Sequence, residues 1–332
     1  MPKDVALRYQ KIGLEKVLQD GPAAQRFVFT FRPDLADLLG SVRKAGLLVP
    51  PVLREAGGGL YQIVCGWRRI QAVRSLGLES IEALIGSKEE LTDEACLRRS
   101  LLENRFHRGF NEIEKAMVFV RLQDEFPSFL PRLGDVLEGD LRFPQDASAL
   151  EDRRFLLSLP EPTRLRIATG QLSYGQALLL REFPAGCRDL FCDLMAGCAL
   201  NLQESRQAAQ WIREVSLRES EDPLRLLESL RAAAALDDRR PPRKNAQVFL
   251  AVLRRRRYPT LEAARSRFET AWKETGLETI GIQAAHDPTF ETSELRLQIS
   301  AGSEDVLRER IEALRRALDQ GTLRRVFFSL LP

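Results

Sequence analysis

Histidine and long apolar runs are both scarce in this sequence of 332 residues. The two histidines, His107 and His286, argue against a zinc centre built on histidine. Five cysteines are an odd number in a large chain, so we do not expect a disulfide framework. No apolar run approaches the roughly 20 residues of a membrane helix, and the first 13 residues contain no apolar signal core. We therefore expect a cytoplasmic protein with no membrane partner.

A strong net charge is also lacking. Fifty Lys and Arg stand against 47 Asp and Glu, which gives +3, and a charge this small does not identify a nucleic-acid binder. Hydrophobic residues make up 44% of the chain and charged residues 29%, which excludes a wholly disordered or fibrous protein. Three cysteines, Cys187, Cys192 and Cys198, lie close in sequence but form no CxxC pair. A metal site is one interpretation of them, and small buried side chains on helices are the other.

The order of patterns predicts an α+β multidomain chain. Strand and helix signals alternate in the first 90 residues, with a first strand over residues 12–18 and a hairpin turning at Gly57, Gly58 and Gly59. From residue 92 to about residue 220 the patterns are helical. Later patterns indicate a small α+β region that ends in a strand at residues 326–331. We expect an N-terminal domain (1–125), a helical domain (126–236), a linker (237–244) and a C-terminal domain (245–332).

The first candidate site is Gly66-Trp67-Arg68-Arg69, where a predicted strand ends and a helix begins. Glycine allows close approach of the backbone to a ligand, and a helix N-terminus binds anions. Arginine adds bidentate contacts to phosphate. The motif therefore favours a polyphosphate ligand, although a glycine turn with two solvated arginines would look the same.

The second candidate site is Glu103-Asn104 at the end of a predicted helix, with cations after it. A carboxylate beside an amide oxygen can hold Mg²⁺, which prefers hard oxygen ligands and often shares them with phosphate. The alternative is an ordinary helix end whose cations complement the helix dipole.

Together these motifs resemble the ParB family of partition proteins, which have a ParB/sulfiredoxin-like nucleotide-binding fold. The family shows G-[IL]-[LI]-x-P, then G-E-R-R at a helix start, then E-N-x-x-R, then L-N-x-x-E. The corresponding segments here are residues 46–50, 66–69, 103–104 and 110–114. Residues 159–160 and 169–177 resemble the family's L-P and G-x-L-S-x-G-H-A segments. The resemblance covers roughly residues 10–215.

The resemblance implies a dimeric clamp that binds CTP with Mg²⁺, closes on parS DNA, slides along it and hydrolyses CTP slowly. It also implies a nucleoid-associated protein with a ParA-type ATPase as partner. Carried over, Gly66, Arg68 and Arg69 would cradle the triphosphate. Glu103 and Asn104 would hold Mg²⁺, and Glu103 is the candidate general base. Residues 47–51, including Leu48 and Pro50, would lie near the base and ribose.

Three positions depart from the family pattern. Trp67 replaces the Glu of G-E-R-R, and its ring could stack on a ligand or fill a packing gap. The arginine of E-N-x-x-R falls on His107, with Arg108 one place later, which puts the third phosphate ligand in doubt. Gln176 replaces the histidine of the G-x-L-S-x-G-H-A segment.

The charge pattern also departs from that of a specific DNA reader. The family's helix-turn-helix should fall near residues 128–159, but six acids against one arginine give residues 135–152 a net charge of −5, which would repel phosphate. A basic patch without any acid lies further on. It could contact DNA nonspecifically, or be a solvated linker and helix end or an interface with acidic residues. Its members are Arg239, Arg240, Arg243, Lys244, Arg254, Arg255, Arg256 and Arg257.

Two alternatives to the clamp stay open. One is a nucleotide-dependent small-molecule kinase of the same fold. The other is a nucleotide-gated scaffold without specific DNA binding, which the acidic stretch favours. A sulfiredoxin-like reductase is disfavoured, because Trp67 stands where that enzyme needs its cysteine.

Overall fold

The computed structural model describes residues 7–107, 109–134, 136–137, 141, 147–237 and 239–330. Their contacts divide the chain into two compact units, one up to Arg206 and one from Gln207 onward. This division into two units does not test the expected domain boundaries at residues 125, 236 and 244, which stay predictions. In the part of the chain that the structure describes, no helix is both long and apolar enough to cross a membrane.

The first unit contains a four-stranded sheet. Its strands are β1 (Arg8–Gly13), β2 (Val52–Gly57), β3 (Leu60–Cys65) and β4 (Ser80–Gly86). They lie in the order β1-β4-β2-β3, with β2 parallel to β4 and the other two pairs antiparallel. The predicted hairpin between β2 and β3 is confirmed, because all three glycines of its turn have the positive φ angles that other residues rarely adopt.

The first strand lies earlier than the pattern predicts. The chain leaves the sheet after Gly13 and forms a 3₁₀ helix at Leu14–Lys16, so the predicted strand over residues 12–18 is wrong. Leu14 and Val17 are both buried. In an extended strand, residues three apart point to opposite faces, whereas the turn brings both side chains to the core.

Helices cover both faces of this sheet. They are α1 (Gly21–Gln25), α2 (Ala36–Ala45), α3 (Trp67–Ser75), α4 (Asp93–His107) and α5 (Glu112–Glu125). Neighbouring strand residues serve opposite cores, since Leu53 packs in the cluster with α2 and α3, and Val52 in the cluster with α4 and α5. The predicted capping box of Asn111 and Glu114 at the start of α5 is confirmed.

Five helices follow, of which the last, α10, begins in the first unit and ends in the second. They are α6 (Ala147–Ser158), α7 (Glu161–Ala168), α8 (Tyr174–Leu179), α9 (Ala185–Gly197) and α10 (Leu202–Glu219). Gln176 is buried at the start of α8, where its amide donates to the carbonyl of Leu200 and to Ser205 Oγ at 2.6 and 2.9 Å. The predicted helix-turn-helix and its acidic stretch lie partly outside the described residues, so both stay predictions.

The second unit is mostly helical with a two-stranded antiparallel sheet. Its elements are α11 (Pro223–Ala234), α12 (Pro242–Arg257), α13 (Pro259–Glu274), β5 (Ile282–His286), β6 (Leu295–Ile299), α14 (Glu304–Asp319) and α15 (Thr322–Ser329). The strand pair and the long helix after it confirm the α+β pattern of this region. Neither α1 nor α11 is predicted by the sequence patterns.

Residues 242–244 belong to the first turn of α12, because proline is well tolerated at the start of a helix, and the linker over residues 237–244 stays a prediction. The predicted last strand is instead the helix α15. Val326 and Leu330 are buried four residues apart on one helical face, while Phe327 and Phe328 are exposed.

Candidate functional site

A cavity of about 250 Å³ lies in the first unit at the end of β3, between the start of α3 and the end of α4. We call it the Gly66 cavity. Seven of the candidate residues line it, namely Gly66, Trp67, Arg68, Arg69, Glu103, Asn104 and His107. Two motifs that are far apart in sequence therefore meet in one place.

Gly66 shapes the floor of this cavity. Its φ of 87° is left-handed, and it precedes the first residue of α3. A Cβ added here would lie 2.9 Å from Cβ of Pro51 and 2.9 Å from Nη2 of Arg69. No described side chain caps this helix end, so its first N–H groups are available to an anion.

Arg69 connects three parts of the site. Its Nη1 donates to the carbonyls of Val49 and Pro50 at 3.0 and 3.2 Å, and its Nη2 forms an ion pair with Oε1 of Glu103. Val49 lines the cavity, whereas Leu48 does not and is largely exposed. Of the predicted segment near the ligand, the structure thus brings Val49 and the carbonyl of Pro50 closest to the arginines.

Arg68 is only partly satisfied. Its Nη2 donates to the carbonyl of Asp34 at 2.5 Å. Its Nε is buried and has no hydrogen-bond partner among the described residues. A charged donor in this condition is costly without an acceptor, and Arg68 is one of the residues that line the cavity.

Glu103 and Asn104 stand side by side on α4. The amide nitrogen of Asn104 donates to the carbonyl of Ser100 at 3.0 Å, which uses one of its two N–H donors and leaves Oδ1 as an acceptor. A carboxylate and an amide oxygen are donors that Mg²⁺ accepts, so the two residues fit that ion. In the described residues, no group of three or more His, Cys, Asp and Glu could hold a metal by itself, so other ligands would have to come from the nucleotide or water.

Trp67 and His107 both line the cavity, Trp67 from the start of α3 and His107 from the end of α4. Trp67 is half-buried, lines the cavity and packs against the apolar cluster of α2 and α3. The packing contact supports the gap-filling interpretation, while the lining position leaves a ligand contact available. His107 is exposed at the end of α4, and Arg108 lies outside the described residues.

Sequence reasoning missed one wall of the cavity, formed by residues 27–30. Ser100 Oγ donates to the carbonyl of Phe27 at 2.7 Å, and Arg121 Nη1 donates to that of Val28 at 2.9 Å. The signal was the short apolar run of Phe27, Val28 and Phe29, and in the structure Val28 packs in one core cluster and both phenylalanines in the other. Such a run is typical of a buried extended segment.

Cys65 lies beside this site but is not a nucleophile. Burial raises the pKa of its thiol well above the ordinary range, and the nearby Glu103 carboxylate raises it further. The thiol therefore stays protonated at neutral pH. All five cysteines are free and buried.

The basic patch of the second unit is partly neutralised. Arg254 pairs with Glu262 at 3.6 Å, Arg256 with Glu219 and Glu221 at 2.6 and 2.9 Å, and Arg257 with Glu214. Arg240 donates to Oδ1 of Asn245 at 3.3 Å. Arg239, Arg243, Lys244 and Arg255 are exposed, as is Arg254. Neighbouring helices thus supply the acids that the patch itself lacks in sequence.

Comparison with known proteins gives a family for the first unit. The ParB N-terminal domain matches residues 7–105. The probable chromosome-partitioning protein ParB of Mycobacterium leprae is 33% identical over 183 residues, which cover 53% of this chain and 51% of that protein. Its counterpart from Pseudomonas putida is 33% identical over 187 residues, covering 54% of this chain and 61% of that protein. The chain thus spans about half to three-fifths of the relatives it matches.

Two solved structures are also similar to this chain. C-terminally truncated ParB from Caulobacter crescentus complexed to the centromeric parS site is 24% identical, with a TM-score of 0.28, and covers 60% of this chain and 97% of its own. The same protein complexed with CTP-gamma-S is 25% identical, with a TM-score of 0.26, and covers 55% and 97%.

Proposed function

This chain belongs to the ParB-type partition protein family, and on that premise we propose that its Gly66 cavity binds CTP together with Mg²⁺. We further propose that the protein acts as a DNA-associated clamp in partition. The matched relatives are chromosome-partitioning proteins, and one solved relative is a complex with a CTP analogue.

The observation that carries this proposal is Arg68, which lines the cavity and whose buried Nε has no hydrogen-bond partner among the described residues. An unsatisfied buried donor costs about 1–3 kcal/mol, and a charged one more, so it favours a ligand that brings an anionic oxygen. Arg69 and the uncapped start of α3 add two further anion-binding features at the same place. A triphosphate supplies enough oxygens for all three.

Glu103 and Asn104 would hold Mg²⁺ in this proposal. When bound, the ion would neutralise charge on the phosphate oxygens. Glu103 has to release Arg69 to take part, and Arg69 is then free to turn to phosphate. Glu103 is also the one carboxylate lining the cavity in the described part of the chain, so it is the candidate to orient a water for slow hydrolysis.

Nonspecific contact is the mode of DNA binding that the described charges favour. On α6, Arg154 pairs with Asp124 at 2.6 Å and the guanidinium of Arg153 lies 4.4 Å from the ring centre of Tyr174. These contacts engage two of the arginines of the predicted helix-turn-helix. Of the exposed members of the basic patch, Arg239, Arg243, Lys244 and Arg255 are the candidates for phosphate contact.

A second copy of the chain is the proposed partner of the second unit. Leu307, Ile311 and Leu318 of α14 are exposed apolar side chains, and covering them would stabilise a homodimer. A ParA-type ATPase as a further partner and a location at the nucleoid are predictions that follow from the family.

Calorimetric titration with CTP, ATP, GTP and UTP, each with Mg²⁺ and with or without duplex DNA, tests the proposal. We expect CTP to bind most tightly, and Arg68→Ala and Glu103→Ala to weaken it at least tenfold, since each removes a charge-assisted contact of about 1.5–3 kcal/mol. Arg43→Ala, an exposed arginine on α2 away from the cavity, is the matched control and should bind normally.

The other outcomes point elsewhere. A preference for ATP would favour the small-molecule kinase. CTP binding that never depends on DNA would favour the nucleotide-gated scaffold. A folded protein that binds no nucleotide would overturn the proposal.

A further inference from the structure

We propose that Arg32 is a positioning residue that connects the Gly66 cavity to helix α7, so that nucleotide binding in the cavity weakens a contact at α7. The connection runs through residues 31–34, which we call the link. This inference rests on the proposed function, because it needs a ligand that engages Arg68.

Arg32 has a strained backbone. Its φ is 38°, a left-handed value that a residue with a Cβ rarely adopts. It also precedes Pro33, whose ring restricts the backbone of the residue before it. Strain of this kind persists only where surrounding contacts hold it, and it is common at ligand clamps and switches.

The contacts that hold Arg32 on one side come from α5 and α7. The N–H of Phe31 donates to Oε1 of the buried Glu114 at 2.9 Å. The guanidinium of Arg164 on α7 lies 5.2 Å from the centre of the Phe31 ring. Arg32 itself forms an ion pair with Glu161, the first residue of α7, at 2.5 Å.

The contact on the other side comes from the cavity. Asp34, two residues after Arg32, accepts the hydrogen bond from Arg68 Nη2. Thr30 before the link and Leu38 after it both line the cavity. The link is therefore anchored to α7 at Arg32 and to the phosphate-binding arginine at Asp34.

A phosphate would compete for Arg68. A phosphate offers arginine an opposite charge and two oxygens for a bidentate pair, which the neutral carbonyl of Asp34 lacks, so the guanidinium would leave Asp34 for the ligand. The strained backbone of Arg32 then loses one of the contacts that hold it in place, the hydrogen bond between Arg68 and Asp34. Arg32 relaxes, and its ion pair with Glu161 weakens.

Thermodynamic linkage between nucleotide binding and the Arg32 contacts determines whether each variant binds CTP more or less tightly. A contact that favours the ligand-free state opposes binding, so removing it strengthens binding. Glu161→Gln should tighten CTP by about two- to fivefold, the range expected from an exposed ion pair. Both side chains are well exposed, at 63% and 49%, so the variant is expected to fold.

The backbone strain at Arg32 predicts a second effect of opposite sign, a weaker affinity for CTP. Arg32→Ala and Arg32→Gly lose the same ion pair, but only glycine accepts the left-handed backbone without cost. Glycine therefore stabilises the ligand-free state, and Arg32→Gly should bind CTP about fivefold or more weaker than Arg32→Ala. A role limited to general stability would not produce this ordering.

The experiment is calorimetric titration of the full chain with CTP and Mg²⁺ for wild type and these three variants, with thermal unfolding of each. Glu304→Gln, which breaks the exposed Arg308–Glu304 pair of the second unit, is the control and should match wild type. Hydrogen exchange at saturating CTP adds a direct readout, since α7 amides should exchange faster when wild type is loaded.

Tighter binding by Glu161→Gln together with weaker binding by Arg32→Gly than by Arg32→Ala supports the proposal. Unchanged or weaker binding by Glu161→Gln, or equal affinities of the alanine and glycine variants, overturns it while leaving nucleotide binding intact. A wild type that binds no nucleotide removes the proposed function and this inference with it.

Discussion

Arg69 and Glu103 form an ion pair across the Gly66 cavity, with only 15% and 25% of their side chains exposed. The same two side chains are the ones proposed for phosphate and for Mg²⁺. In this arrangement each neutralises the other, so neither charge is left unpaired in a partly buried place. A ligand that replaces the pair must supply both an anion for Arg69 and a cation for Glu103.

Binding should therefore depend on the metal through Glu103. We expect removal of Mg²⁺ with EDTA to weaken CTP binding strongly in wild type and little in Glu103→Gln, because the variant lacks the carboxylate that needs the cation. Calorimetric titration with and without EDTA measures this. Glu94→Gln, on the same helix but outside the cavity, should keep the metal dependence, and an equal dependence in Glu103→Gln would contradict the assignment.

Gly66 should be intolerant of a side chain. Gly66→Ala places a Cβ against Pro51 and imposes a left-handed backbone on alanine, which costs about 1–2 kcal/mol, and the shifted turn should also lower CTP affinity. Gly40→Ala is the matched control, since Gly40 lies inside α2 with open space around it and should stabilise the protein by about 0.5–1 kcal/mol. Urea unfolding of both variants gives the comparison, and equal effects would be inconsistent with this geometry.

Residues 326–330 allow the helix α15 to be distinguished from the predicted strand. In a strand, Val326, Phe328 and Leu330 would share one face, so truncating any of them would be costly. In α15, Leu330→Ala should cost about 2–5 kcal/mol, as for a buried leucine, while Phe328→Ala should stay within about 0.5 kcal/mol. Equal losses on urea unfolding would favour the strand.

Buried thiols make the stability of the folded protein decrease at alkaline pH. Burial raises the pKa of Cys96 to about 12 and that of Cys198 to about 11. An unfolded chain ionises these thiols at lower pH and so binds fewer protons than the native state, which means that stability falls as pH rises above the unfolded pKa. We expect this loss between about pH 8.5, the ordinary cysteine pKa, and pH 11. It should be smaller in Cys198→Ala, and an unchanged slope in urea unfolding would contradict the assignment.

The exposed cations of the basic patch should set the salt dependence of DNA binding. Replacing Arg239, Arg243, Lys244 and Arg255 with alanine should weaken binding to every duplex alike and reduce the salt slope by about one per lost phosphate contact. Fluorescence anisotropy at several salt concentrations measures the slope. Arg315→Ala with Arg316→Ala on α14 is a charge-loss control, and a sequence-dependent loss would argue for specific reading instead.

Elements with a local signal could be predicted from the sequence. The Asn111 capping box and the glycine turn before β3 each depend on a few neighbouring residues, and the structure confirms both. The two halves of the cavity could be predicted because a ligand needs Gly66 and Glu103 at fixed places in their motifs. The ion pair between Arg69 and Glu103 could not be predicted, since the two residues are 34 positions apart in the sequence.

What failed depends on contacts between distant residues. Residues 326–331 are rich in apolar and aromatic side chains, as strands often are, yet the burial of Val326 and Leu330 against α13 and its neighbours selects a helix. The patch at the end of α12 looks free of acids in sequence, but Glu214 and Glu219 reach it from α10. The left-handed Arg32 has no sequence signal at all, because an arginine before a proline predicts extended backbone.

The side-chain amide of Gln176 makes the contact between the start of α8 and the residues at the start of α10 independent of its own protonation. Gln176 bonds Leu200 and Ser205 through its Nε2 and accepts the N–H of Ser173 on its Oε1, and an amide carries no proton that titrates in water. A histidine there would change its donors and acceptors near pH 6.5. Acidification through that range would therefore leave the hydrogen bonds of Gln176 unchanged.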